Sequence, residues 1–232
     1  MVVSEARRRF SRSDDPVPEV CVMDPDGDLV RWGQRHGVAA RHPGWGCFHT
    51  DLWVVPLGER PVGVVPFAVG APFATMAAEQ LFSSGAELVV SVASAGRICA
   101  PGDTDFMLID AARRDEGTSV HYLPAAEWVG LDPAVVDALG SVDLPRGSSW
   151  TTDAPFRETA SAVDCARAAG VWCVEMEAAA LYSLAASADR TVVCLAHLTN
   201  TVGTSLGFEK GADGGAHRAL GAVTDVIDAI VR

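Results

Sequence analysis

The chain has 232 residues, of which 49% are hydrophobic and 21% are charged, so it is long enough for one sizeable core and has the composition of a globular protein. Its formal charge of -12 argues against a nucleic-acid partner, because binding a phosphate backbone needs a basic surface. The six cysteines form no Cys-x-x-Cys pair and show no metal-ligand spacing with the six histidines, which predicts reduced cysteines in a cytoplasmic protein and no metal site.

The first segment, residues 1–18, carries arginines but no apolar core, so we predict a disordered leader and not a secretory signal. The uncharged run over residues 61–78 approaches the length of a membrane span, but its glycines and prolines divide it into a strand, a turn and the start of a helix. We therefore predict no membrane partner and a single domain over residues 19–232.

Apolar runs separated by turn signals make up the first half of this domain. Residues 19–23 predict a strand that ends at the turn DPDGD. Two apolar runs flank GERP and predict a hairpin, and a helix is predicted from Ala71 to a stop at Gly85. Residues 86–96 carry no charge after Glu87, as expected of a central strand covered on both faces, and residues 105–112 predict a further strand.

The second half begins with a polar loop predicted over residues 113–128, a helix near residues 132–140 and a second loop over residues 144–159. After a helix that ends at AAG come a strand, a helix, a strand and a closing amphipathic helix, predicted over residues 171–174, 176–188, 191–199 and 214–231. This alternation predicts an α/β fold with a mixed, mostly parallel sheet, which binds ligands at the carboxyl ends of its strands.

Two carboxylates, Glu175 and Glu177, bracket Met176 between an apolar strand and a helix-forming run. They can be charges in the first turn of a helix, where they complement the helix dipole. Alternatively, they can accept hydrogen bonds from a vicinal diol such as ribose, while Met176 packs on the apolar face of the sugar. An anion at that position would also stabilise an oxocarbenium-like sugar.

Small and polar residues follow two other predicted strands. Gly27 and Arg31 offer turn N–H groups and a guanidinium to an anion, or they form a plain turn with a surface arginine. The run Ser94–Ala95–Gly96 places a hydroxyl and a small backbone beside the same space, or it ends a strand for steric reasons.

A polar loop carries an aromatic ring, a guanidinium and a carboxylate at Phe156, Arg157 and Glu158. An aromatic face with a hydrogen-bonding pair suits a flat heterocyclic base, and loops on rigid scaffolds often hold binding residues. The same residues can also be the capped start of a helix.

Five segments occur in one order along the chain: FAVGAPFATMAAEQL, SAG, RDEGTSVHYLP, TTDAPFRET and GVWCVEMEAAALY. In this order they resemble the nucleoside phosphorylase superfamily, which includes purine nucleoside and uridine phosphorylases and related nucleosidases, over most of residues 19–232. The third and fourth segments are similar to a bacterial subgroup called simply nucleoside phosphorylases. The resemblance implies a single α/β domain around a distorted, partly barrel-like mixed sheet, and homodimers that commonly build hexamers.

The activity implied is cleavage of the N-glycosidic bond of a nucleoside by inorganic phosphate, giving ribose 1-phosphate and free base without any cofactor. By their match to the family's motif, Glu175, Met176 and Glu177 resemble its sugar-binding triplet, with Glu177 expected on the ribose hydroxyls. His49 is a candidate to reach the sugar from a neighbouring subunit, or it is an interface residue.

Gly27 and Arg31 resemble the family's phosphate loop Gly-Asp-Pro-x-Arg, with two extra residues before it and Leu29 in place of proline. Ser94 matches the serine or threonine that contacts phosphate and sugar. Arg31, Glu177 and Asn200 are the predicted catalytic residues. The residues predicted at the base are Ala95, Gly96, Phe156, Arg157, Glu158 and Asn200.

Three departures from the family pattern affect the expected reaction. A second phosphate-binding arginine is expected three residues before Ser94, where this chain has Ser91. For a third one, expected from the neighbouring subunit, only Arg41 and His49 are candidates, and neither aligns cleanly. The aspartate that protonates a purine is replaced by Asn200, whose amide can hydrogen-bond a departing base but cannot protonate it. Uridine phosphorylases also carry asparagine there, followed by an arginine that is Thr201 in this chain.

Three functions therefore remain open. The main prediction is a nucleoside phosphorylase that acts on an unusual or pyrimidine-like nucleoside. The missing arginines and the SAG segment favour a nucleosidase that uses water. Ser91 and Asn200 motivate a third possibility, a catalytically weak nucleoside-binding protein.

Overall fold

A mixed β-sheet of ten strands forms the centre of the computed structural model, which describes residues 2–203 and 207–231. In chain order the strands are β1 (Val20–Asp24), β2 (Ala40–Arg41), β3 (Trp53–Leu57), β4 (Arg60–Pro66), β5 (Leu88–Arg97), β6 (Phe106–Asp115), β7 (Trp128–Gly130), β8 (Arg146–Thr152), β9 (Cys173–Glu175) and β10 (Thr191–Thr201). They pair in the order β10-β6-β8-β9-β5-β1-β4-β3-β2, and β7 pairs with β6 off this path.

Part of this sheet closes on itself. Strand β10 pairs with β6 on one side and with β5 on the other, so β5, β9, β8, β6 and β10 form a closed barrel. Strands β1, β4, β3 and β2 continue the sheet beyond β5. The predicted α/β fold with a distorted, partly barrel-like mixed sheet is confirmed.

Helices surround the sheet. In chain order they are α1 (Val2–Arg9), α2 (Asp28–Arg35), α3 (Ala71–Ser83), α4 (Pro133–Ala138), α5 (Ala160–Ala168), α6 (Ala178–Ala188) and α7 (Ala216–Ile230). Helix α3 packs on α6 and α2 packs on α7, and both α6 and α7 also contact strands. Helices α2, α3, α6 and α7 each bury an apolar face against the core, which is the arrangement predicted from the alternation of elements.

The strongest sequence patterns fold as predicted. Every residue of β1 is buried, including the terminal Asp24, and the first six of β5 are buried, as expected of strands that are covered on both faces. Strands β3 and β4 form the predicted antiparallel hairpin around Gly58, which has a φ of 62°. Helix α3 has Pro72 in its first turn, and Gly85 follows its end with a φ of 115°.

The loop predicted over residues 144–159 is wrong in its first half, where β8 runs parallel to both β6 and β9 in the barrel. The run GSSWTT shows no alternation of apolar and polar residues, because hydroxyl side chains occupy buried positions in it. The hydroxyls of Ser149 and Thr151 donate to the buried carboxylate of Glu175 at 2.9 and 2.5 Å. A strand whose buried face is polar gives no hydrophobic period, so the sequence pattern concealed it.

The turn predicted at residues 27–31 continues directly into helix α2, so this prediction holds only for its first residue. Gly27 is the N-cap residue and has a φ of 73°. Any side chain there would also collide with Phe67, since a Cβ would lie 2.1 Å from a ring carbon. The glycine thus allows both the left-handed turn and the close approach of the ring.

Residues 1–18, predicted to be a disordered leader, contain helix α1 and contact the domain. Nε of Arg7 donates to the carbonyl of Gly44 at 2.8 Å, His42 Nε2 lies 3.0 Å from the carbonyl of Pro16, and Val17 is buried. These contacts join segments that are distant in sequence, so composition alone could not predict them.

None of the helices among the described residues is both long and apolar enough to cross a membrane.

Candidate active site

The residues that follow β9, β1 and β4 meet beside Ser94 of β5, and two hydrogen bonds join these segments. The N–H of Gly70, after β4, donates to Oε1 of Glu177, after β9, at 2.7 Å. The N–H of Ser94, in β5, donates to Oδ2 of Asp26, after β1, at 2.8 Å. Of the polar clusters predicted from the sequence, the structure therefore brings together those that follow β1 and β9 and the one in β5.

Glu175 is buried and accepts four hydrogen bonds from donors of the protein. Its Oε1 accepts the hydroxyls of Ser149 and Thr151, and its Oε2 accepts the N–H groups of Glu177 and Ala178 at 2.7 Å each. Burial raises the pKa of Glu175, and these hydrogen bonds oppose that rise. Glu175 thus fixes the first turn of α6, and with it the position of Glu177.

Glu177 is also buried, but it makes fewer contacts. Besides the bond from Gly70, its Oε2 accepts the N–H of Met176 at 3.3 Å. Burial, followed by repulsion from the neighbouring Glu175 carboxylate, raises the pKa of Glu177 to about 8. The methyl group of Met176 lies 4.0 Å from the position that a Cβ would take on Gly70. A carboxylate with spare acceptor capacity and an apolar thioether therefore lie together, as the predicted sugar-binding triplet requires.

The N–H groups of the predicted phosphate loop are already bound within the protein. Asp24 Oδ1 accepts the N–H of Asp28 at 3.0 Å, and Oδ2 accepts those of Leu29 and Val30 at 3.0 and 3.1 Å. The N–H of Gly27 donates to the carbonyl of Asp24 at 2.8 Å. Burial raises the pKa of Asp24 to about 7 against the opposing effect of these bonds. Asp24 therefore caps α2 and takes the place that an anion would have at that helix terminus.

We expect Asp24→Ala to lower the free energy of unfolding by at least about 2 kcal/mol, because three N–H groups, two of them buried, lose their acceptor. The measurement is equilibrium urea unfolding. Asp24→Asn is the matched control, since its side-chain oxygen still accepts a hydrogen bond and the loss should be smaller. Equal stability of the alanine variant and the unsubstituted protein would contradict this role for Asp24.

A second carboxylate, Asp26, lies where the predicted anion would meet β5. Besides the N–H of Ser94, its Oδ2 has Lys210 Nζ at 3.3 Å, and Lys210 also bonds Asp28 Oδ2 at 2.7 Å. Lys210 is the only lysine of the sequence. The buried hydroxyl of Ser94 has no hydrogen-bond partner among the described residues. Three groups therefore border the space beside Ser94. They are the free Ser94 hydroxyl, the Ser94 N–H that is bonded to Asp26, and the Asp26 carboxylate that is paired with Lys210.

Arg31, predicted to bind phosphate, points to the other side of this turn. Its Nη2 donates to Oδ1 of Asp28 at 2.7 Å and to the carbonyl of Asp26 at 2.6 Å, and its guanidinium lies 5.8 Å from the ring centre of Phe67. Arg31 and Ser94 are thus on different sides of the Asp26 residue.

The predicted base-binding residues divide into two groups. Gly96 in β5 and Asn200 in β10 are paired across the sheet at a register shift between Leu198 and Asn200. The amide nitrogen of Asn200 lies 3.7 Å from the position of a Cβ on Gly96. Ala95, next to Gly96, is buried. A β-bulge often re-aims a side chain beside an active site, and here it sets the place of the Asn200 amide.

The second group, Phe156, Arg157 and Glu158, forms an exposed turn after β8, and Phe156 is 99% exposed. The turn leads into α5, whose N-cap Thr159 accepts the N–H of Ala162 at 3.3 Å. The described contacts support the interpretation of this segment as the capped start of a helix, and none of them joins these three residues to the carboxylates.

His49 lies near the site within its own subunit. Its ring meets Phe48 edge-on at 5.0 Å and Phe73, in the first turn of α3, at 6.2 Å. The predictions from the sequence assigned no role to Gly70, Asp24 or Lys210. Lys210 had a usable signal, as the sole lysine of an acidic chain.

No group of three or more His, Cys, Asp or Glu side chains in the described part of the chain is arranged to hold a metal ion.

Comparison with known proteins identifies relatives of this chain. A family described as the Phosphorylase superfamily matches residues 33–232. A protein of Thermococcus kodakarensis named uridine phosphorylase is 32% identical over 146 residues. The match covers 54% of this chain and 52% of the relative. The match therefore spans about half of the length of this curated relative.

Proposed function

The chain belongs to the phosphorylase superfamily, and on that premise we propose that it cleaves the N-glycosidic bond of a nucleoside with inorganic phosphate as the attacking group. One observation carries the proposal: Glu177 is a buried carboxylate held by Gly70 at the edge of the sheet, with Met176 beside it and acceptor capacity to spare. The name of the relative, uridine phosphorylase, is consistent with this reaction and puts uridine first among the candidate substrates.

In the proposed reaction Glu177 accepts hydrogen bonds from the ribose hydroxyls, and its negative charge stabilises the positive charge that develops on the sugar. A phosphate oxygen forms the new bond to the anomeric carbon while the bond to the base breaks. The base leaves with the electron pair, accepts a hydrogen bond from Asn200 and takes its proton from water, since an amide has no acidic proton to give.

Phosphate would lie beside Ser94, because the N–H of Gly27 is bonded to Asp24 and Arg31 is turned toward Asp28. Ser94 Oγ is free to bind it, but Asp26 must first release the N–H of Ser94. We also propose the partners, which are a nucleoside, phosphate, and further copies of the chain in a homodimer or hexamer.

A second candidate function is hydrolysis, favoured by the position of Asp26. Its carboxylate already lies on the N–H of Ser94 and beside Lys210. From there it could accept a proton from a water molecule that attacks the anomeric carbon, and the product would be ribose instead of ribose 1-phosphate.

The test is base release from uridine and a panel of other nucleosides, measured by chromatography on phosphate-free protein with and without added phosphate. We expect release to require phosphate and the sugar product to be ribose 1-phosphate. Equal rates without phosphate, with ribose as the product, would overturn phosphorolysis in favour of hydrolysis.

The raised pKa of Glu177 predicts the pH dependence of substrate affinity. With a pKa of about 8, the free side chain is neutral below that pH and becomes a carboxylate as the pH rises through it. Since only the carboxylate can accept hydrogen bonds from both ribose hydroxyls, we expect KM to fall as the pH rises through about 8. In Glu177→Gln this dependence should disappear, and its persistence there would assign it to another group such as Asp24.

A further inference from the structure

The connection between β4 and α3 contains two residues with a left-handed backbone. Phe67 follows β4 and has a φ of 64°, and Gly70 precedes α3 and has a φ of 86° with a ψ of 148°. A positive φ is unfavourable for a bulky residue such as phenylalanine, and strained backbone of this kind clusters at functional sites. The same connection carries the N–H that binds Glu177, so its conformation bears on the proposed sugar site.

The backbone conformation of Gly70, and not the space around it, requires glycine at this position. Among the described residues, a Cβ on Gly70 would meet only the methyl group of Met176, at 4.0 Å, which is an ordinary van der Waals contact. Its φ and ψ, however, lie close to the region that essentially only glycine occupies. Any other residue would therefore have to rotate the backbone at position 70, even though a small side chain would fit.

The carbonyl and the N–H of Gly70 have different partners. The carbonyl accepts the N–H of Ala74 at 2.9 Å and so begins α3, as the carbonyl of an N-cap residue does. The N–H donates to Oε1 of Glu177 at 2.7 Å. An N-cap residue usually has a β-region backbone, which the ψ of Gly70 fits and its positive φ does not. Because φ sets the direction of the N–H, the positive φ turns this N–H to Glu177 while the carbonyl stays in the helix.

This N–H is the main group that fixes the carboxylate of Glu177. Among the described residues it is the only donor to Glu177 from another segment of the chain, and the second donor, the N–H of Met176, is more distant at 3.3 Å. The connection is itself anchored at its other end, where the N–H of Phe67 donates to the carbonyl of Asp24 at 3.1 Å. Gly70 therefore joins Glu177 to a connection that is held at both ends.

The other groups that act on Glu177 oppose its ionisation. The carboxylates of Glu175, in β9, and Asp26, after β1, repel its negative charge, and the thiol of Cys194, in β10, also interacts with it. Burial and this repulsion raise the pKa of Glu177, whereas the hydrogen bond from Gly70 lowers it. Loss of that hydrogen bond should therefore be visible in the titration of Glu177.

We propose that Gly70 is a positioning residue of the reaction, whose left-handed backbone directs the N–H that holds the Glu177 carboxylate in place for the sugar. This inference rests on the proposed function and adds to it a residue that acts through Glu177 without touching the substrate. A glycine with a purely structural role would begin α3 without affecting the titration of Glu177.

The test compares Gly70→Ala with Gly85→Ala in the full chain. Gly85 follows the other end of α3 with a φ of 115°, so alanine is strained there too, but about 20 Å away along the helix. The first measurement is the titration of the Glu177 carboxyl carbon by carbon-13 NMR without ligand, assigned by comparison with Glu177→Gln. We expect Gly70→Ala to raise the midpoint by about one pH unit, because the carboxylate loses a charge-assisted hydrogen bond. Gly85→Ala should leave the midpoint unchanged.

The second measurement is kcat/KM for base release from uridine with added phosphate. We expect Gly70→Ala to lower it by at least about 10-fold, since the carboxylate is both misplaced and less ionised. Gly85→Ala should stay within about 2-fold of the unsubstituted protein, because its strain lies away from the reacting groups. The proposal is overturned if Gly70→Ala leaves the midpoint unchanged, with or without a loss of activity, or if Gly85→Ala shifts it equally.

A measurement on the unsubstituted protein decides the matter if Gly70→Ala does not fold. The chemical shift of the Gly70 amide proton should change with pH at the midpoint of Glu177, and this change should be absent in Glu177→Gln. An amide proton of Gly70 that does not follow Glu177 overturns the proposal. The proposed function is judged separately, by base release from the nucleoside panel. Absence of all release, with the midpoint shift of Gly70→Ala intact, would remove the reaction and leave Gly70 as the residue that positions Glu177.

Discussion

Glu177→Gln should lower kcat/KM for base release by at least about 100-fold, which is the usual cost of removing a group that stabilises transition-state charge. Glutamine has the shape of glutamate and still accepts the hydrogen bond from Gly70, so the site keeps its geometry. It lacks the negative charge that stabilises the developing positive charge on the sugar, and its amide presents only one acceptor to the two ribose hydroxyls. The measurement is the initial rate of base release from uridine, or from the best nucleoside of the panel.

Folding of this variant can be checked independently. Because the pKa of Glu177 is raised to about 8 by burial, ionisation of the side chain destabilises the native protein as the pH rises from the ordinary glutamate pKa of 4.5 through 8. Glu177→Gln removes that ionisation, so its melting temperature above pH 8 should be equal to or higher than that of the unsubstituted protein. A loss of activity without a loss of stability places the effect on the reaction. Activity within about 3-fold of the unsubstituted protein would contradict the proposed role of Glu177.

Glu175→Gln is the informative comparison for this result. Glu175 accepts four hydrogen bonds from protein donors, and an amide in its place would put an NH₂ group against some of them. That variant should lose stability, in contrast to Glu177→Gln. Opposite effects of the two variants would assign the neighbouring carboxylates different roles, Glu175 in supporting the site and Glu177 in contacting the substrate. A clear base-release activity that depends on Glu177 would also exclude the catalytically weak binding protein.

Asp26→Ala should have the second large effect, and its direction depends on the attacking group. With phosphate as the attacking group, Asp26 competes for the N–H of Ser94, so we expect its removal to lower KM for phosphate by about 10-fold. With water as the attacking group, Asp26 is the only described carboxylate on that N–H and would act as general base. Its removal would then lower kcat by at least about 100-fold.

The matched control is Asp28→Asn. Asp28 also bonds Lys210, but it makes no hydrogen bond to Ser94, so the control perturbs the same lysine without opening the space beside β5. Its KM for phosphate should change less than that of Asp26→Ala. A large loss of kcat confined to Asp26→Ala would establish hydrolysis and contradict the expectation of phosphorolysis.

The sequence alone determined the fold class, the order of most elements and the position of Glu175 and Glu177 at the end of a strand. These follow from local features: uncharged runs make buried strands such as β5, Pro72 and Gly85 bound α3, and the VEME run lies at a strand end beside a helix-forming run. Each feature lies within a short window, so its pattern survives in the linear order of residues.

Strand β8 escaped prediction because its buried hydroxyls bind Glu175, a residue more than 20 positions away, and so give no apolar period. The prediction made for the segment near Gly27 failed for a similar reason, because it depended on hydrogen bonds that only the folded chain makes. Sequence spacing predicted free N–H groups near Gly27, but in the folded chain Asp24 accepts the N–H groups of α2 and Asp26 accepts that of Ser94.

Only the tertiary structure decided whether Glu175 or Glu177 accepts more hydrogen bonds from the protein, which carboxylate caps a helix and where the arginines point. Hydrogen bonds between side chains and distant backbone groups make these distinctions, and their partners are chosen by the packing of β1, β4, β5 and β9 at one edge of the sheet. The types of residue in the site could therefore be predicted from the sequence, whereas their division of roles required the fold.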